Sequence, residues 1–520
     1  MSERRYIHWL RRTGGAVRAG LRGAAPSAPL PSSVWPPLAD NVLPYAGLAT
    51  TLATEYDYMP HIEGQLPAAL QGTLYRNGPG RFDRGGLRKR MLLDGDGMLQ
   101  AYQFRHGRVR FRSRFVRTAK YVAEEAAGRF LYRTWSTLAP GGVLANLGLS
   151  LANQAEVTVI RRHGALYAFG GPHPYELDPE TLETRGVSTL GVPATQTRYQ
   201  AHWKVDGRTG EWLHFGVAYG PAPTLHLTAF TPDGRLRTHR TVPLPRQVYL
   251  HDWCVTARHC LFILHPGLIS PGGVAAMLLG WRSPADVIRW QPRLGYLVLV
   301  LDRAGPGTPV LLEAEAAWMW HALNAYEAHG ELIADFVGAP EVVGLGHPDA
   351  PFFAVMRGCP PAPPAPEARA RVRRYVINPA GRTLREDLIA ADDGYEMPFV
   401  NPSLSCHRHR YGYFARHGRA AWLWSSVARV DTQTGSVTSY DFGPGHYCSE
   451  PVFAPTPGRT YEAGAAAEPG WLLTLVYHAS TRRSSLAILD AEHVAAGPVA
   501  WVHLTHHVPL SFHGYWHAEA

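Results

Sequence analysis

Val205-Asp206-Gly207-Arg208-Thr209-Gly210 is the stretch on which the fold turns. An aspartate here can accept backbone N–H groups from the next few residues, and glycine supplies the positive φ that sends the chain back, so the stretch reads as a turn between two antiparallel strands. The device recurs outward in both directions. Leu177-Asp178-Pro179 lies before it and Thr231-Pro232-Asp233-Gly234 after it. Leu301-Asp302-Arg303, Ile377-Asn378-Pro379-Ala380-Gly381, Val430-Asp431-Thr432-Gln433-Thr434-Gly435 and Leu489-Asp490-Ala491 follow. The intervening runs, such as Tyr296–Leu301 and Trp471–Tyr477, are rich in Val, Leu, Tyr and Trp, which suit a half-buried pleated surface. Hairpins from about residue 60 onward without βαβ alternation leave a sandwich array, a β-helix or a β-propeller, and the absence of a constant repeat length speaks against a solenoid. We expect an all-β chain folded as one propeller of irregular blades, in which distant residues meet on an axis.

Composition agrees with many turns and little helix: 52 Gly and 43 Pro stand among 520 residues. Hydrophobic content of 46% against 18% charge excludes a disordered chain. The formal charge of +9 gives a mild preference for anionic surfaces, and no nucleic-acid partner is expected. Five cysteines, with no C-x-x-C, speak against structural zinc or a disulfide framework and fit a reducing cytoplasm. Residues 1–40 read as a basic arm, with Arg4, Arg5, Arg11, Arg12, Arg18 and Arg22 around Tyr6, Ile7, Trp9 and Leu10, ahead of a single domain over 41–520. Arg18 and Arg22 interrupt what would be the apolar core of an export signal, which leaves a solvated tail or a membrane-touching segment. No apolar run is long enough to cross a bilayer as a helix. The apolar, uncharged segments 137–151 and 266–281 read either as buried packing or as a patch that dips into lipid, peripheral on the membrane. Cys359–Pro366 reads as a polyproline surface loop.

Of the 26 histidines, four enter β-rich runs after aromatic or apolar residues. They are His202 in Gln200-Ala201-His202-Trp203-Lys204, His251 in Tyr249-Leu250-His251-Asp252-Trp253, His321 in Trp318-Met319-Trp320-His321-Ala322 and His513 in Ser511-Phe512-His513-Gly514-Tyr515. No local metal motif has such spacing; only a fold that returns to one axis brings them together.

At these residues the chain resembles the carotenoid cleavage oxygenase family. The resemblance also runs through Leu74-Tyr75-Arg76-Asn77-Gly78-Pro79-Gly80, Asp94-Gly95-Asp96-Gly97-Met98, Arg114-Phe115-Val116-Arg117-Thr118 and Val508-Pro509-Leu510-Ser511-Phe512-His513-Gly514. Tyr121–Arg129 and Pro140-Gly141-Gly142 through Asn146 are similar to the bacterial apocarotenoid 15,15′-oxygenases within it. The resemblance implies a seven-bladed β-propeller with a loop and short-helix cap over the metal face. It further implies one Fe(2+) per chain held by His202, His251, His321 and His513, with O2 as co-substrate and a hydrophobic polyene cleaved to carbonyl products such as retinal. Neutral imidazoles suit that ion, leave its charge uncompensated and keep a position open.

Ligating histidines commonly donate their second N–H to a carboxylate. The family implies three such glutamates. Glu396, in Tyr395-Glu396-Met397-Pro398, and Glu450, in Ser449-Glu450-Pro451, match two and are expected to hold His321 and His513. The third position is Gly170, so His251 is expected to lack a carboxylate, and Gly170→Glu to restore one if there is room. Asp94-Gly95-Asp96-Gly97 opens like a calcium loop, but its twelfth position is Arg105, so a tight hairpin turn is expected instead. Lys120 is read as a solvated surface residue or, as in stilbene-cleaving relatives, a contact for a substrate phenol. Phe169, Trp203, Trp253, Trp320 and Phe512 are read as tunnel lining or as core. Alternatives to carotenoid cleavage are a stilbene- or phenylpropanoid-cleaving dioxygenase and a non-catalytic propeller that binds apolar ligands.

Overall fold

The computed structural model describes residues 34–35, 43–219, 222–305, 307–315, 317–342, 350–361, 365–418 and 423–519, so the basic arm, apart from 34–35, lies outside the described residues. Seven antiparallel sheets stand around an axis as a seven-bladed propeller. The hairpin signals map onto its turns. Asp206 Oδ1 accepts the N–H groups of Arg208 and Thr209 at 3.0 Å each, and Gly210 closes the turn at φ +70°. Asp431 does the same for Gln433 and Thr434, and Asp178 and Asp490 repeat the pattern.

Both ends of the described chain close the ring. The C-terminal strand His513–Ala518 joins Gly72–Arg81 of blade 1 in antiparallel register, Asn77 opposite His513 and Gly72 opposite Ala518. The early strand His61–Gly64 meanwhile pairs with Pro498–His503 on blade 7, His61 opposite His503. Two ladders from opposite ends of the sequence therefore hold one circle. Within blade 1, Asn77 Nδ2 donates to the carbonyls of Ala155 (2.8 Å) and Thr158 (3.0 Å), tying that blade to blade 2.

Apolar residues on the blade faces fill the spaces between sheets. Trp253 stacks on Phe262 at 5.3 Å between ring centres and lies 5.4 Å from Phe215. His214 is fully enclosed with Trp212, Tyr199 and Phe230, and His265 lies against Trp318 at 4.3 Å. Burial lowers both imidazoles to about 3. In the unfolded chain they protonate near 6.5, so between that pH and 3 the unfolded state binds the extra protons and stability falls as pH falls. Each such group contributes a slope of about 1.4 kcal/mol per pH unit. The urea midpoint is expected to drop steadily from pH 6 to pH 4; a flat or rising midpoint would contradict this.

Among the described residues the α-helices are few and short: α1 (Ala119–Ala127), α2 (Pro271–Leu278), α3 (Pro284–Val287) and α4 (Pro351–Ala354). α1 starts where the Thr118 side chain accepts the Tyr121 N–H and ends at Gly128 in the left-handed region (φ +61°). The segments 137–151 and 266–281 lie side by side in the cap. Gly148 N–H donates to Leu278 O at 2.8 Å, and Arg133 donates to Asn146 O and Met277 O. A Cβ on Gly280 would sit 2.7 Å from Val143 O, which is why a glycine stands there. The two segments expose Leu144 (84%), Leu147, Leu149, Leu278, Leu279 and Trp281 (58%), which corrects the reading of both as purely buried packing.

Candidate metal centre

Residues from six of the seven blades meet in one cluster: His513, His202, His251 and His321, with Glu396 and Glu450 bonded to two of them. The four histidines each offer a ring nitrogen, and these atoms lie within 4.8 Å of one another, a group that could hold a metal ion. His202 Nε2 and His251 Nε2 are 3.0 Å apart. His321 Nδ1 meets Glu396 Oε2 at 2.6 Å and His513 Nδ1 meets Glu450 Oε1 at 2.8 Å, leaving Nε2 of each for the axis.

Local irregularities aim these side chains. The strand Trp318–Ala328 slips register between Met319 and Ala322, and a bulge of this kind re-aims a side chain. His321 sits inside the slip. Tyr395–Phe399 is likewise irregular after Glu396, with Met397 at φ +50°, and the Met397 N–H donates to Glu396 Oε2 at 2.6 Å. The second oxygen of Glu450 accepts the Gly514 N–H at 2.6 Å; a Cβ on Gly514 would lie 2.6 Å from Val452 Cγ2.

The donor set fits a cation. Burial, reinforced by the neighbouring imidazoles, holds His202 and His251 well below their ordinary range, so both are neutral at pH 7, the form that could ligate a metal. For His321 burial also opposes the proton, but Glu396 overrides it and raises the imidazole. Burial prevails at His513 despite Glu450, and that ring is lowered. Two buried carboxylates thus face four imidazoles, enough negative charge to offset a divalent ion without binding it directly.

Three contributors escaped sequence reading. Asp252 Oδ2 accepts the Ala322 N–H at 2.8 Å while Oδ1 meets Lys204 Nζ at 2.9 Å, so one carboxylate locks the backbones around His251, His321 and His202. Arg76 donates to Glu450 O (3.0 Å), Phe512 O (3.2 Å) and Ser511 Oγ (3.1 Å), fixing the Glu450–His513 pair from behind. Tyr249 Oη stands 3.0 Å from His251 Nδ1, in the place where the other two rings have carboxylates. Gly170 leaves no room for one. A Cβ there would lie 2.2 Å from Glu156 Oε2, 2.6 Å from Glu156 N and 2.9 Å from Ala155 Cα. Gly170→Glu therefore cannot restore the carboxylate, contrary to the expectation above. Even Gly170→Ala is expected to cost about 1–3 kcal/mol in stability, read from its urea midpoint.

Of the aromatic candidates, Trp320 lies edge-on to His251 at 4.8 Å and continues into Trp318 and Phe352. Tyr249 and Trp135 extend this aromatic wall. Phe169 instead packs on Trp212 and His214, and Trp203 on Tyr515. Trp253 donates its indole N–H to His202 O from within the inter-blade core, and Phe512 joins the apolar cluster of Leu510 and Phe453. Phe169, Trp253 and Phe512 are core, and half-buried Trp203 packs against it. Lys120 is neither solvated nor in the aromatic wall: it is 3% exposed and paired with Asp96 (2.6 Å) and Glu124 (2.9 Å). Nor does Asp94-Gly95-Asp96-Gly97 form a hairpin turn. Leu92–Asp94 is one 3-10 turn leading straight into the strand Asp96–Arg105, and both carboxylates are buried, Asp94 on Ser136 and Thr137 and Asp96 on Arg84 and Lys120.

Comparison with known proteins places these features among relatives. Residues 49–518 match the family described as retinal pigment epithelial membrane protein. The chain is 31% identical over 479 residues to the apocarotenoid-15,15′-oxygenase of Synechocystis sp., covering 89% of this chain and 94% of that one. It is 29% identical over 481 residues to the isoeugenol monooxygenase of Pseudomonas nitroreducens, covering 88% and 93%. The crystal structure of cobalt-substituted Synechocystis ACO superposes with a TM-score of 0.83 at 30% identity, over 92% of this chain and 98% of that one.

Proposed function

Because the chain belongs to the retinal pigment epithelial membrane protein family of carotenoid oxygenases, we propose that it is a non-haem Fe(2+) dioxygenase that cleaves a conjugated double bond of an apocarotenoid with O2. The observation that carries this reading is the convergence of four imidazoles, two of them backed by buried carboxylates, beside an aromatic wall. Bound there, ferrous iron would supply the site at which O2 is activated. His202, His251, His321 and His513 would hold it; Glu396 and Glu450 fix two ring orientations and tautomers by accepting from Nδ1. Trp320, Trp318, Phe352, Trp135 and Tyr249 would align a flat, apolar conjugated chain and keep water out.

A phenylpropanoid or stilbene substrate is the second reading, favoured by the similarity to an isoeugenol monooxygenase. Anaerobically purified protein is expected to bind about one iron per chain and to convert apo-8′-carotenal to two carbonyl fragments identified by mass spectrometry. Turnover of resveratrol or isoeugenol alone would transfer the assignment to phenylpropanoids. A folded protein that never loads iron would leave only a binder of apolar ligands.

The substrate's solubility gives the exposed patch a use. Leu144, Leu147, Leu278, Leu279 and Trp281 form one apolar surface on the cap, and among the described residues no helix is long and apolar enough to cross a membrane. We read the patch as a peripheral contact that dips into a bilayer, with the basic charge of the 1–40 segment as a further electrostatic contribution and the cytoplasm as the location. Flotation with anionic vesicles is expected, and loss of flotation in Leu144→Glu/Trp281→Glu; equal flotation of both proteins would refute the contact.

A further inference from the structure

The aromatic wall beside the metal centre is not uniformly apolar. His265 adjoins it, its ring 4.3 Å from that of Trp318 and 6.4 Å from those of Trp290 and Tyr249, centre to centre. Trp290 and Trp318 are themselves 5.9 Å apart. The chain builds this group locally. The strand Gly267–Ile269 pairs with Ile288–Trp290, Gly267 opposite Trp290, which brings the indole back beside His265. A Cβ on Gly267 would lie 3.0 Å from His265 Nδ1 and 3.2 Å from Trp318 Cζ3, so glycine at 267 lets the imidazole and the indole pack this closely.

The backbone also fixes where the imidazole carries its proton. The Gly267 N–H donates to His265 Nδ1 at 3.3 Å, and burial keeps the ring neutral at pH 7, so its one hydrogen sits on Nε2. That nitrogen is enclosed and has no hydrogen-bond partner among the described residues. The indole nitrogens of Trp318 and Trp290 are in the same condition. Buried Trp and His N–H groups ordinarily find an acceptor, and each one left alone carries a desolvation cost. Three idle donors on three neighbouring rings therefore mark a place suited to an acceptor. Apolar surroundings with a few placed polar groups are also the usual make-up of a site that takes a small molecule by area and orients it by hydrogen bonds.

We propose that His265, with Trp318 and Trp290, recognises an oxygen at one end of the substrate, a carbonyl or a hydroxyl, by donating to it. The group thereby selects oxygen-bearing conjugated molecules over the corresponding hydrocarbons. A hydrocarbon leaves the donors unpaired, which discriminates more strongly than a small difference in apolar area. Tyr249 neighbours both places, its ring 6.4 Å from His265 and 6.0 Å from His251. The oxygen is held one ring away from the centre and so sets which double bond is presented to it.

This rests on the reading of the wall as the substrate's seat, and measuring binding keeps it separate from turnover. The probes are two matched pairs: apo-8′-carotenal with the hydrocarbon in which methyl replaces its aldehyde, and resveratrol with trans-stilbene. Full-length protein is titrated anaerobically and binding is read from quenching of tryptophan fluorescence. Wild type is expected to prefer the oxygen-bearing member of at least one pair by about fivefold or more. His265→Phe is expected to weaken that member roughly 5- to 100-fold and to leave its hydrocarbon within about twofold. His265→Gln, which keeps an amide donor, is expected to recover part of the preference. Preference in the stilbene pair alone supports the donor and passes the function to phenylpropanoids. Preference without products from any probe supports the donor and overturns the dioxygenase reading instead. No preference in either pair, or no binding at all, refutes the proposal. So does an equal weakening of both members by His265→Phe, which would mean that the ring only packs. Should His265→Phe fail to fold, Trp318→Phe and Trp290→Phe, which keep a ring and delete the N–H, decide by the same comparison, and an unchanged preference in both is the refuting result.

Discussion

His321→Ala is expected to abolish turnover and to lower iron affinity at least about 100-fold, beyond what loss of an outer partner costs, while the protein still folds. The ligand is lost together with the anchor of its carboxylate, for Glu396 Oε2 keeps only the Met397 N–H. Folding survives because the ladder around His321 does not depend on the ring. The strand already departs from regular pairing between Met319 and Ala322, and Ala322 N–H is held by Asp252. Truncation leaves a small cavity on the axis and removes a group whose proton Glu396 favours. Iron content by metal analysis, together with product formation, checks this. Full activity would mean that the four rings are not the centre, whereas loss of folding would mean that His321 carries structure that the surrounding hydrogen bonds do not.

The legible parts of this molecule are those whose physics is local. Asp206, Asp431 and Asp178 bond backbone groups within three residues, so their turns could be read from sequence, and enough of them specify a chain of hairpins. The histidines stood out through their settings, and the carboxylates through the family resemblance. What stayed hidden is non-local. Asp252 reaches Ala322 across 70 positions and Arg76 reaches Phe512 across 436, partnerships that only the closed ring creates. Tyr249 lies two residues before His251, but that its hydroxyl meets the ring at Nδ1 appears only in the fold. Of the aromatics read as tunnel lining or as core, only Trp320 meets a histidine of the cluster by a ring contact. Trp203 packs on Tyr515, and Phe512 on the Leu510 and Phe453 cluster. Trp320 sits inside the register slip of its strand and reaches His251.

Lys120→Met is expected to destabilise the fold by about 3–5 kcal/mol, the range for stripping one partner from a buried ion pair, and to leave the choice of substrate unchanged. The lysine is part of a closed network. Arg84 contacts Asp96 (2.6 Å) and Glu124 (3.1 Å), Lys120 contacts the same two carboxylates at 2.6 and 2.9 Å, and all four side chains are at most 2% exposed. Glu124 Oε1 also accepts the N–H groups of Leu131 and Tyr132, so the network anchors the start of the cap as well as α1. Arg84 also pairs with Glu125 (2.8 Å), and buried Lys89 interacts electrostatically with Lys120, Glu124 and Asp96. Burial disfavours the charge on Lys120, yet the carboxylates outweigh it and raise its ammonium; Asp96 is lowered by the same contacts against the same penalty. Methionine matches the stem but strips one cation from Asp96 and Glu124 in a fully buried site. The paired variant Lys120→Met/Glu124→Gln restores neutrality and is expected to recover part of the lost stability. A lysine that served substrate recognition would behave in the opposite way, changing KM for phenolic substrates while the urea midpoint stayed in place. Measuring both quantities on both variants decides between the roles, and the burial of every charge in the network is why the structural outcome is the expected one.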